Sequence, residues 1–215
     1  MKLKKLVAIT LSAVMCMAAL TGFGGKSDSA KKTAEVIEVD LTDEQYAFGV
    51  DKDQPDLLKE VNQFVKDMKS DGTFDEICNR YFGDGTPVPV KSAAYDESKD
   101  QLVVATNAAF EPFEYMDGEN YVGIDMEIAK ALADKLGKEL VIQNMDFDAV
   151  CLSVGQHKCD VAMAGLTIKP DREEYVAFSD PYYSASQTLI PVSTDTEFDA
   201  CTPADDVYKI LEAKG

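Results

Sequence analysis

The residues best suited to chemistry are a hydroxyl and a guanidinium that follow a short apolar run. They lie in the stretch AGLTIKPDR, residues 164–172, where Gly165 precedes Thr167 and Arg172. A planar guanidinium holds both oxygens of a carboxylate, and a glycine lets a ligand approach the main chain. A helix beginning at Pro170 would add unpaired amide donors. The stretch therefore indicates a carboxylate site, although a strand, a turn and one surface arginine would have the same sequence.

Alternating strand and helix patterns surround this stretch and predict an α/β fold with a largely parallel sheet. Apolar runs at 101–106, 139–143 and 160–164 predict strands, and helical spacing of apolar residues at 123–137 and 148–154 predicts helices between them. In such a sheet a ligand binds beyond the carboxyl ends of the strands. We therefore expect one ligand-binding set at those ends: Asn107, Phe110, Phe147, Gly165, Leu166, Thr167 and Arg172.

The residue types in this set favour a small zwitterion as ligand. Two aromatic rings, an amide, a hydroxyl and one guanidinium make a pocket for an amino acid with a small side chain. Taken singly, Phe110 or Phe147 is better explained by core packing, and only their joint position after two strands favours a site.

The chain before this region predicts a second set of elements. Residues 35–39 and 46–50 suit strands, a helix begins at Pro55, and a shorter helix covers 73–81. Residues 84–100 are rich in Pro, Gly and polar side chains without a period, which is typical of a linker or surface loop. A last helix is expected at about 203–213.

Charge and N-terminal pattern limit the partners and the location. The formal net charge of −18 argues against nucleic acid, since phosphate binding needs clustered Lys and Arg. Residues 1–22 are typical of an export signal, and 23–34 of a flexible tether. Phe23 stands where a lipobox would carry its cysteine, so the usual thioether to a lipid cannot form there. We expect export to the cell surface or periplasm.

Cysteine and histidine allow two weaker hypotheses. Cys78, Cys151, Cys159 and Cys201 follow the signal, so disulfides are allowed, although Cys151 and Cys159 fall at apolar positions where free thiols are commoner. A zinc site built from Cys151, His157 and Cys159 lacks any standard spacing, and His157 is better explained as a solvent-facing residue at a helix end.

Motifs for catalysis or for a cofactor are missing from the sequence. There is no Ser and His pair in a nucleophile motif, no phosphate loop and no metal-ligand motif, so we expect neither an enzyme nor a cofactor. The carboxylates of Asp125, Glu127, Asp171 and Asp180 are interpreted as residues of helix starts and turns.

Residues 101–192 resemble the polar amino-acid solute-binding proteins of ABC importers. The resemblance rests on QLVVATNAAFEPFEYMDGENYVGIDMEIAKALADKLG, MDFDAV, KCDVAMAGLTIKPDREEYVAFSDPYY and LIPV. It implies two α/β lobes joined by a hinge, an amino acid trapped between them, and a membrane permease as partner.

The resemblance also assigns roles to the candidate residues. It implies that Arg172 and Thr167 hold the ligand carboxylate, that Phe110 and Phe147 form aromatic walls, and that the carbonyl of Gly165 receives the α-ammonium. Asn107 stands where many relatives have Asp, so their side-chain preference does not carry over.

The order of the resembling segments is permuted. Residues 41–83 resemble the C-terminal end of the family, with the motif DGTFDEICNRYFG. We therefore expect residues 35–83 and 101–193 to form lobe 1, 84–100 to join them, and 194–215 to begin a second lobe that is largely absent. Such a lobe should bind an amino acid weakly. The alternatives are a non-binding remnant of a rearranged gene, or half of a cleft completed by a second-lobe polypeptide or by self-association.

Overall fold

The computed structural model describes residues 34–192 and 195–214. The predicted signal and nearly all of the predicted tether lie outside these residues. The chain divides into a unit Glu44–Ala185 and a smaller unit formed by the chain on either side of it. Among the helices described, none combines the length and apolar character needed to cross a membrane.

The elements of secondary structure are as follows. The described residues contain the strands β1 Glu44–Tyr46, β2 Gly49–Asp51, β3 Gln101–Thr106, β4 Ala109–Phe110, β5 Glu114–Asp117, β6 Asn120–Val122, β7 Glu139–Asn144, β8 Val161–Ala162, β9 Val176–Phe178 and β10 Tyr183–Ala185. The helices are α1 Pro55–Ser70, α2 Thr73–Phe82, α3 Ile124–Leu136, α4 Phe147–Gly155, α5 Pro170–Glu173 and α6 Ala204–Lys214, with a 3-10 helix at Thr196–Phe198.

A five-stranded sheet in the order β7-β3-β8-β2-β9 forms the centre of the Glu44–Ala185 unit. Strand β3 pairs in parallel with β7 and β8, and all six of its residues are buried, as expected of a central strand covered on both faces. Strand β2 runs antiparallel to both β8 and β9. The predicted α/β fold with a mixed, mostly parallel sheet is confirmed.

The strand predicted at 46–50 is wrong as a single element, because it forms two strands with different partners. Strand β1 pairs with β10, and Tyr46 also bridges to Thr167. Between the strands, Ala47 donates to the carbonyl of Leu166 and Phe48 donates to the hydroxyl of Ser179. These donors are buried and need partners, so the chain crosses from one sheet to the other without losing hydrogen bonds. The crossing places β1 beside the 164–172 stretch.

Helices α1 and α3 cover the sheet with apolar faces at the predicted spacing. In α1 the buried residues recur at three- and four-residue intervals: Val61, Phe64, Val65 and Met68. Helix α3 begins after Gly123, where φ is +134° and an added Cβ would lie 2.1 Å from the carbonyl oxygen of Phe113. Only glycine fits so close to the main chain, so Gly123 fixes where α3 leaves the β4-β5-β6 sheet.

The predicted linker 84–100 lies along this unit and is bonded to it at several points. Val88 donates its N–H to the carboxylate of Glu127 at 2.9 Å, and Val90, which is buried, exchanges two main-chain hydrogen bonds with Tyr121. Ala93 donates to the carbonyl of Leu140 at 2.9 Å. The segment is a surface loop without regular elements, but its path is defined by main-chain hydrogen bonds.

The smaller unit has its own apolar cluster. Ile37 and Val39 pack with Phe198 and Val207. The strand predicted at 35–39 is wrong: Ile37 donates to the carbonyl of Leu189 at 3.0 Å, with similar bonds on either side, but no regular ladder forms. The helix expected at 203–213 is confirmed as α6.

Candidate ligand-binding site

Gly165 forms a tight turn at the end of β8, against the ring of Phe110. Its φ is +52°, and an added Cβ would lie 3.0 Å from the Phe110 ring and 3.6 Å from the Tyr46 ring. The Gly165 N–H donates to Oδ2 of Asp125 at 2.9 Å. A positive φ and a close aromatic ring both favour glycine here. The structure thus brings together two of the predicted residues, Gly165 and Phe110.

Thr167, Arg172 and Phe147 form a second group. Nη1 of Arg172 donates to the carbonyl of Thr167 at 2.8 Å, and the guanidinium lies over the Phe147 ring, 5.0 Å from its centroid. The Phe147 side chain is 39% exposed and that of Phe110 is 44% exposed, so both rings reach the surface rather than the core. A stacked, singly bonded guanidinium still has N–H groups to offer a carboxylate.

The helix expected after Lys169 is too short to be an anion site. Helix α5 covers four residues, Pro170–Glu173, and the N–H groups of both Arg172 and Glu173 donate to the carbonyl of Lys169. Two of the amide donors predicted there, those of Arg172 and Glu173, are therefore already used. The side chain of Arg172 is the charged donor at this end of the site.

Asn107 and Leu166 occupy supporting positions. Nδ2 of Asn107 donates to the carbonyl of Met145 at 2.7 Å, which ties the loop after β3 to the loop that carries Phe147. The Leu166 side chain is 1% exposed and belongs to the apolar cluster under α4, while its carbonyl accepts from Ala47. Leu166 therefore acts as a core residue whose side chain does not face the site.

Two residues of β1 belong to the site and were missing from the predicted set. Oγ1 of Thr167 donates to Oε2 of Glu44 at 3.0 Å, and the Tyr46 ring packs beside Gly165. These two residues lie in the segment 41–83, which resembles the C-terminal segment of the family that returns to the first lobe. This resemblance was the sequence feature that could have indicated a position beside the site. The strand predicted at 46–50 included Tyr46 but not Glu44, and the neighbour of β1 in the sheet was not predicted.

Buried acids lie directly beneath Gly165. Asp125 is fully buried and accepts from Gly165 and from the hydroxyl of Tyr182 at 2.5 Å. Burial, followed by the charge of Asp125, raises the pKa of Glu114 far above its usual range. Burial also raises the pKa of Asp125, though less, because its hydrogen bonds favour the charged form. Asp125 lies in the first turn of α3, as interpreted from the sequence, and its carboxylate also accepts the hydrogen bond that holds the Gly165 turn.

Glu127 likewise does more than begin a helix. Its carboxylate accepts from the hydroxyl of Tyr81 at 2.6 Å and from the N–H of Val88, and it pairs with Arg80. With Glu127 only 7% exposed, these bonds join α2, the 84–100 segment and α3. Asp171 and Asp180 are exposed, as expected for residues of a first helical turn and a loop.

The histidine and the cysteines do not share a site. Nδ1 of His157 lies 2.8 Å from Oδ2 of Asp51, and Nε2 lies 3.6 Å from Oδ2 of Asp53, while the His157 side chain is 58% exposed. These three are the group among the described residues that could hold a metal ion. Cys151 and Cys159 are free thiols in the cluster under α4, and Cys78 and Cys201 are free as well. His157 is solvent-facing after α4, as expected.

The model of the bacterial extracellular solute-binding proteins, family 3, matches residues 7–84 and 102–207. The chain belongs to this family. The matched ranges include β1 and the loops after β3, β7 and β8, so every element that supplies the candidate site of this family-3 chain lies within the match.

Curated relatives match part of the chain. The arginine-binding extracellular protein ArtP of Bacillus subtilis (strain 168) is 40% identical over 95 residues, which is 44% of this chain and 37% of ArtP. The putative ABC transporter arginine-binding protein 2 of Escherichia coli (strain K12) is 36% identical over 87 residues, 40% of this chain and 36% of that protein. The cyclohexadienyl dehydratase of Pseudomonas aeruginosa is 32% identical over 95 residues, 44% of this chain and 35% of the enzyme. The family-3 chain thus matches little more than a third of the length of each.

Solved structures also match about half of this chain, but to different shares of their own length. A mutant of the arginine-bound ArgBP from T. maritima is 43% identical with a TM-score of 0.39, covering 40% of this chain and 41% of that chain. A mutant of the arginine-bound domain 1 of TmArgBP is 34% identical with a TM-score of 0.39, covering 54% of this chain and 95% of that chain.

Proposed function

We propose that this family-3 chain binds a polar amino acid outside the cytoplasm, on the face of the Glu44–Ala185 unit, and serves an ABC importer. The observation that carries this proposal is the Arg172 guanidinium, stacked on Phe147 and bonded to the Thr167 carbonyl within the stretch that resembles the family's carboxylate clamp. A planar, pre-positioned fork suits a carboxylate better than a lysine would.

Each part of an amino acid has a suitable group on this face. The carboxylate would bind Arg172 and the Thr167 hydroxyl, which would exchange Glu44 for the ligand as its acceptor, and the α-ammonium would bind the carbonyl of Gly165. The half-exposed rings of Phe110 and Phe147 would cover the side chain. The Glu44 carboxylate beside Thr167 adds negative charge, which favours ligands with a second cationic group. Arginine is therefore the first ligand to test, as the names of the relatives also suggest.

We also infer that this unit is a single permuted lobe and binds weakly. The bonded path of residues 84–100 supports a join between the segment 35–83 and the segment 101–193, because it runs over the surface without disturbing the core. With both aromatic walls open to solvent, water screens the Arg172 contact. Compared with a closed cleft, affinity should fall by several kcal/mol, a factor of at least hundreds.

Calorimetry on the full chain tests binding. Arginine, lysine, histidine, glutamine and serine would be titrated separately, and we expect dissociation constants between about 1 μM and 1 mM, tightest for arginine. Sub-micromolar binding to a monomer would contradict the single weak lobe. If no ligand gives heat at millimolar concentration, and the Arg172→Ala variant gives the same trace as the natural chain, the result would favour the non-binding remnant.

A cleft completed by another chain is the second arrangement to test. Light scattering with and without arginine would measure the molecular mass in solution. A dimer that forms only with ligand, and binds it more tightly than the monomer, would favour self-association over the single lobe. A monomer that binds tightly only after addition of a second-lobe polypeptide would favour a two-chain cleft.

We propose binding rather than catalysis for this site. The Thr167 hydroxyl donates to Glu44, and His157 pairs with Asp51 and Asp53, so the hydroxyl and the imidazole are bonded to different acids and not to each other as a nucleophile and its histidine base. The dehydratase among the relatives makes this worth testing. A dehydratase assay, with the Pseudomonas aeruginosa enzyme as positive control, should show no turnover, and measurable turnover would overturn the proposal.

We propose that the chain is exported through residues 1–22 and delivers its ligand to an ABC permease. The family's extracellular character supports this, whereas Phe23 leaves the usual lipid attachment without its cysteine. Cell fractionation with Phe23→Cys as the comparison would decide the anchor: the natural chain should be released, and the variant should stay in the membrane fraction. Release of both, or retention of both, would contradict the proposed role of position 23.

A further inference from the structure

The carboxyl group of Glu114 is buried without a hydrogen-bond donor. Glu114 is 1% exposed, and neither of its side-chain oxygens receives a hydrogen bond from a donor in the described part of the chain. A buried charge without donors is very costly, and a carboxyl group avoids this by keeping its proton.

Asp125, by contrast, is arranged to stay charged. It accepts from the Gly165 N–H at 2.9 Å and from the Tyr182 hydroxyl at 2.5 Å. It also lies close enough to Glu114 for a side-chain hydrogen bond, which favours the charged form of Asp125 and the neutral form of Glu114. One proton between the two acids would therefore satisfy both.

Among the described residues, the titratable groups that act on this pair do not supply a positive charge. Tyr46 from β1, Cys78 from α2 and Tyr182 from the loop after β9 face the two acids, and none of them is a cation. The hydroxyl of Tyr182 is already committed to Asp125. Within the described chain, the proton on Glu114 lowers the negative charge of the pair, as a lysine or arginine does in an ordinary buried ion pair.

We propose that Glu114 is held as a neutral carboxylic acid that donates to Asp125, and that it is a positioning residue for the Gly165 turn and the Phe110 wall. Two paths connect it to the site. Through Asp125 it reaches the Gly165 N–H, and across the β4-β5 pair it stands opposite Phe110. The role in ligand binding rests on the proposed function, whereas the proton itself does not.

Loss of this proton has a definite consequence. Two adjacent buried carboxylates repel each other, so Asp125 and Glu114 would separate and the Gly165 N–H would lose its acceptor. Because Gly165 holds a positive φ against Phe110, both would shift together. Alkaline pH should therefore loosen the turn before the sheet unfolds.

Carbon-13 NMR of glutamate-labelled full chain tests the proton directly, without ligand. The Glu114 carboxyl signal, identified by its loss in Glu114→Gln, should remain that of a protonated acid at neutral pH. The Gly165 amide signal should move with it as the pH is raised, and should stay still over that range in Glu114→Gln. The control Glu119→Gln, at an exposed turn position, should leave both titrations unchanged.

Several outcomes would overturn the proposal. If the Glu114 carboxyl signal has the chemical shift of a carboxylate at neutral pH, Glu114 is not a neutral acid. If the Gly165 amide signal does not change as Glu114 titrates, Glu114 does not position the Gly165 turn. Glu114→Leu, which cannot donate to Asp125, should lose more thermal stability than Glu114→Gln, and the reverse order would also count against it. If the titrations appear as expected but calorimetry finds no amino acid, the proposed function fails and the buried proton stands.

Discussion

The guanidinium of Arg172 lies over the ring of Phe147, 5.0 Å from its centroid, while one of its N–H groups bonds to the Thr167 carbonyl. The cation is thus oriented before any ligand arrives. Pre-orientation lowers the entropy that binding has to overcome, and the planar fork leaves its edge for a carboxylate. The partly exposed contact itself adds only about 0.5–1 kcal/mol to stability.

Arg172→Lys should therefore impair binding far more than folding. Lysine keeps the charge but loses the fork and the flat stacking surface, so we expect amino-acid affinity to fall at least about tenfold, with a change in unfolding free energy below about 1 kcal/mol. Calorimetry and urea unfolding measure the two quantities. Lys169→Arg, at an exposed neighbouring position, is the control and should change neither. Equal affinity of Arg172→Lys and the natural chain would remove Arg172 from the carboxylate end.

Gly165→Ala should destabilise the unit by about 1–2 kcal/mol, because a Cβ is strained at φ +52° and would press on the Phe110 ring at 3.0 Å. Gly118→Ala is a matched control, since its φ is +60° but nothing lies within 4 Å of the added Cβ. The difference between the two variants in urea unfolding isolates the ring contact. If they lose the same stability, Phe110 does not pack on the turn.

His157 should make stability depend on pH near neutrality. Its hydrogen bond to Asp51, followed by that carboxylate's charge, raises the His157 pKa above the ordinary 6.5. The stabilisation is complete below 6.5 and is lost as the pH rises through the raised value. His157 is the single histidine of the sequence, so proton NMR follows its titration without ambiguity.

The matching variant is His157→Asn, because asparagine tolerates the positive φ of 58° at this position. It should flatten the decline in unfolding free energy that begins as the pH rises above about 6.5. Asp53→Asn, which removes the more distant carboxylate, should flatten it less. A natural chain whose decline matches that of His157→Asn would show that the Asp51 pair contributes nothing.

Glu127→Ala should cost about 3 kcal/mol, since it leaves a partly buried Arg80, the Tyr81 hydroxyl and the Val88 N–H without their shared acceptor. Glu76→Ala removes the other, exposed partner of Arg80 and should cost at most about 0.5 kcal/mol. Thermal unfolding compares the two. Similar losses would mean that Glu127 does not tie the 84–100 segment to the lobe.

The strand ends and the helices between them were predictable because they follow from local periodicity. The interior of strand β3, residues 102–105, is an uninterrupted apolar run, and α1 repeats its buried residues at helical spacing. Glu44 escaped prediction for the opposite reason. Its contact with Thr167 joins residues 123 positions apart, and it depends on which strand β1 lies beside, which no local pattern specifies.

The buried acids show a second limit of reading carboxylates by position. Asp125 and Glu127 stand in the first turn of α3, where acids are ordinarily solvated and favoured by the helix dipole. Both acids do lie in that turn, but both are buried, and their carboxylates accept from Tyr182 and Arg80, which the chain supplies from separate elements. The sequence does not distinguish a solvated acid of a first helical turn from a buried acid that holds other elements. The difference is visible once the hydrogen-bonding neighbours are known.

The position of β2 has a consequence for how the protein is made. This strand lies between β8 and β9, so its two neighbours are synthesised more than a hundred residues after it. Until the ribosome has passed Phe178, β2 lacks a neighbour and the nascent sheet is incomplete. Contacts at such long sequence separation form slowly. For the proposed export, slow folding gives the secretion machinery time to bind the chain while it is still unfolded and can be translocated.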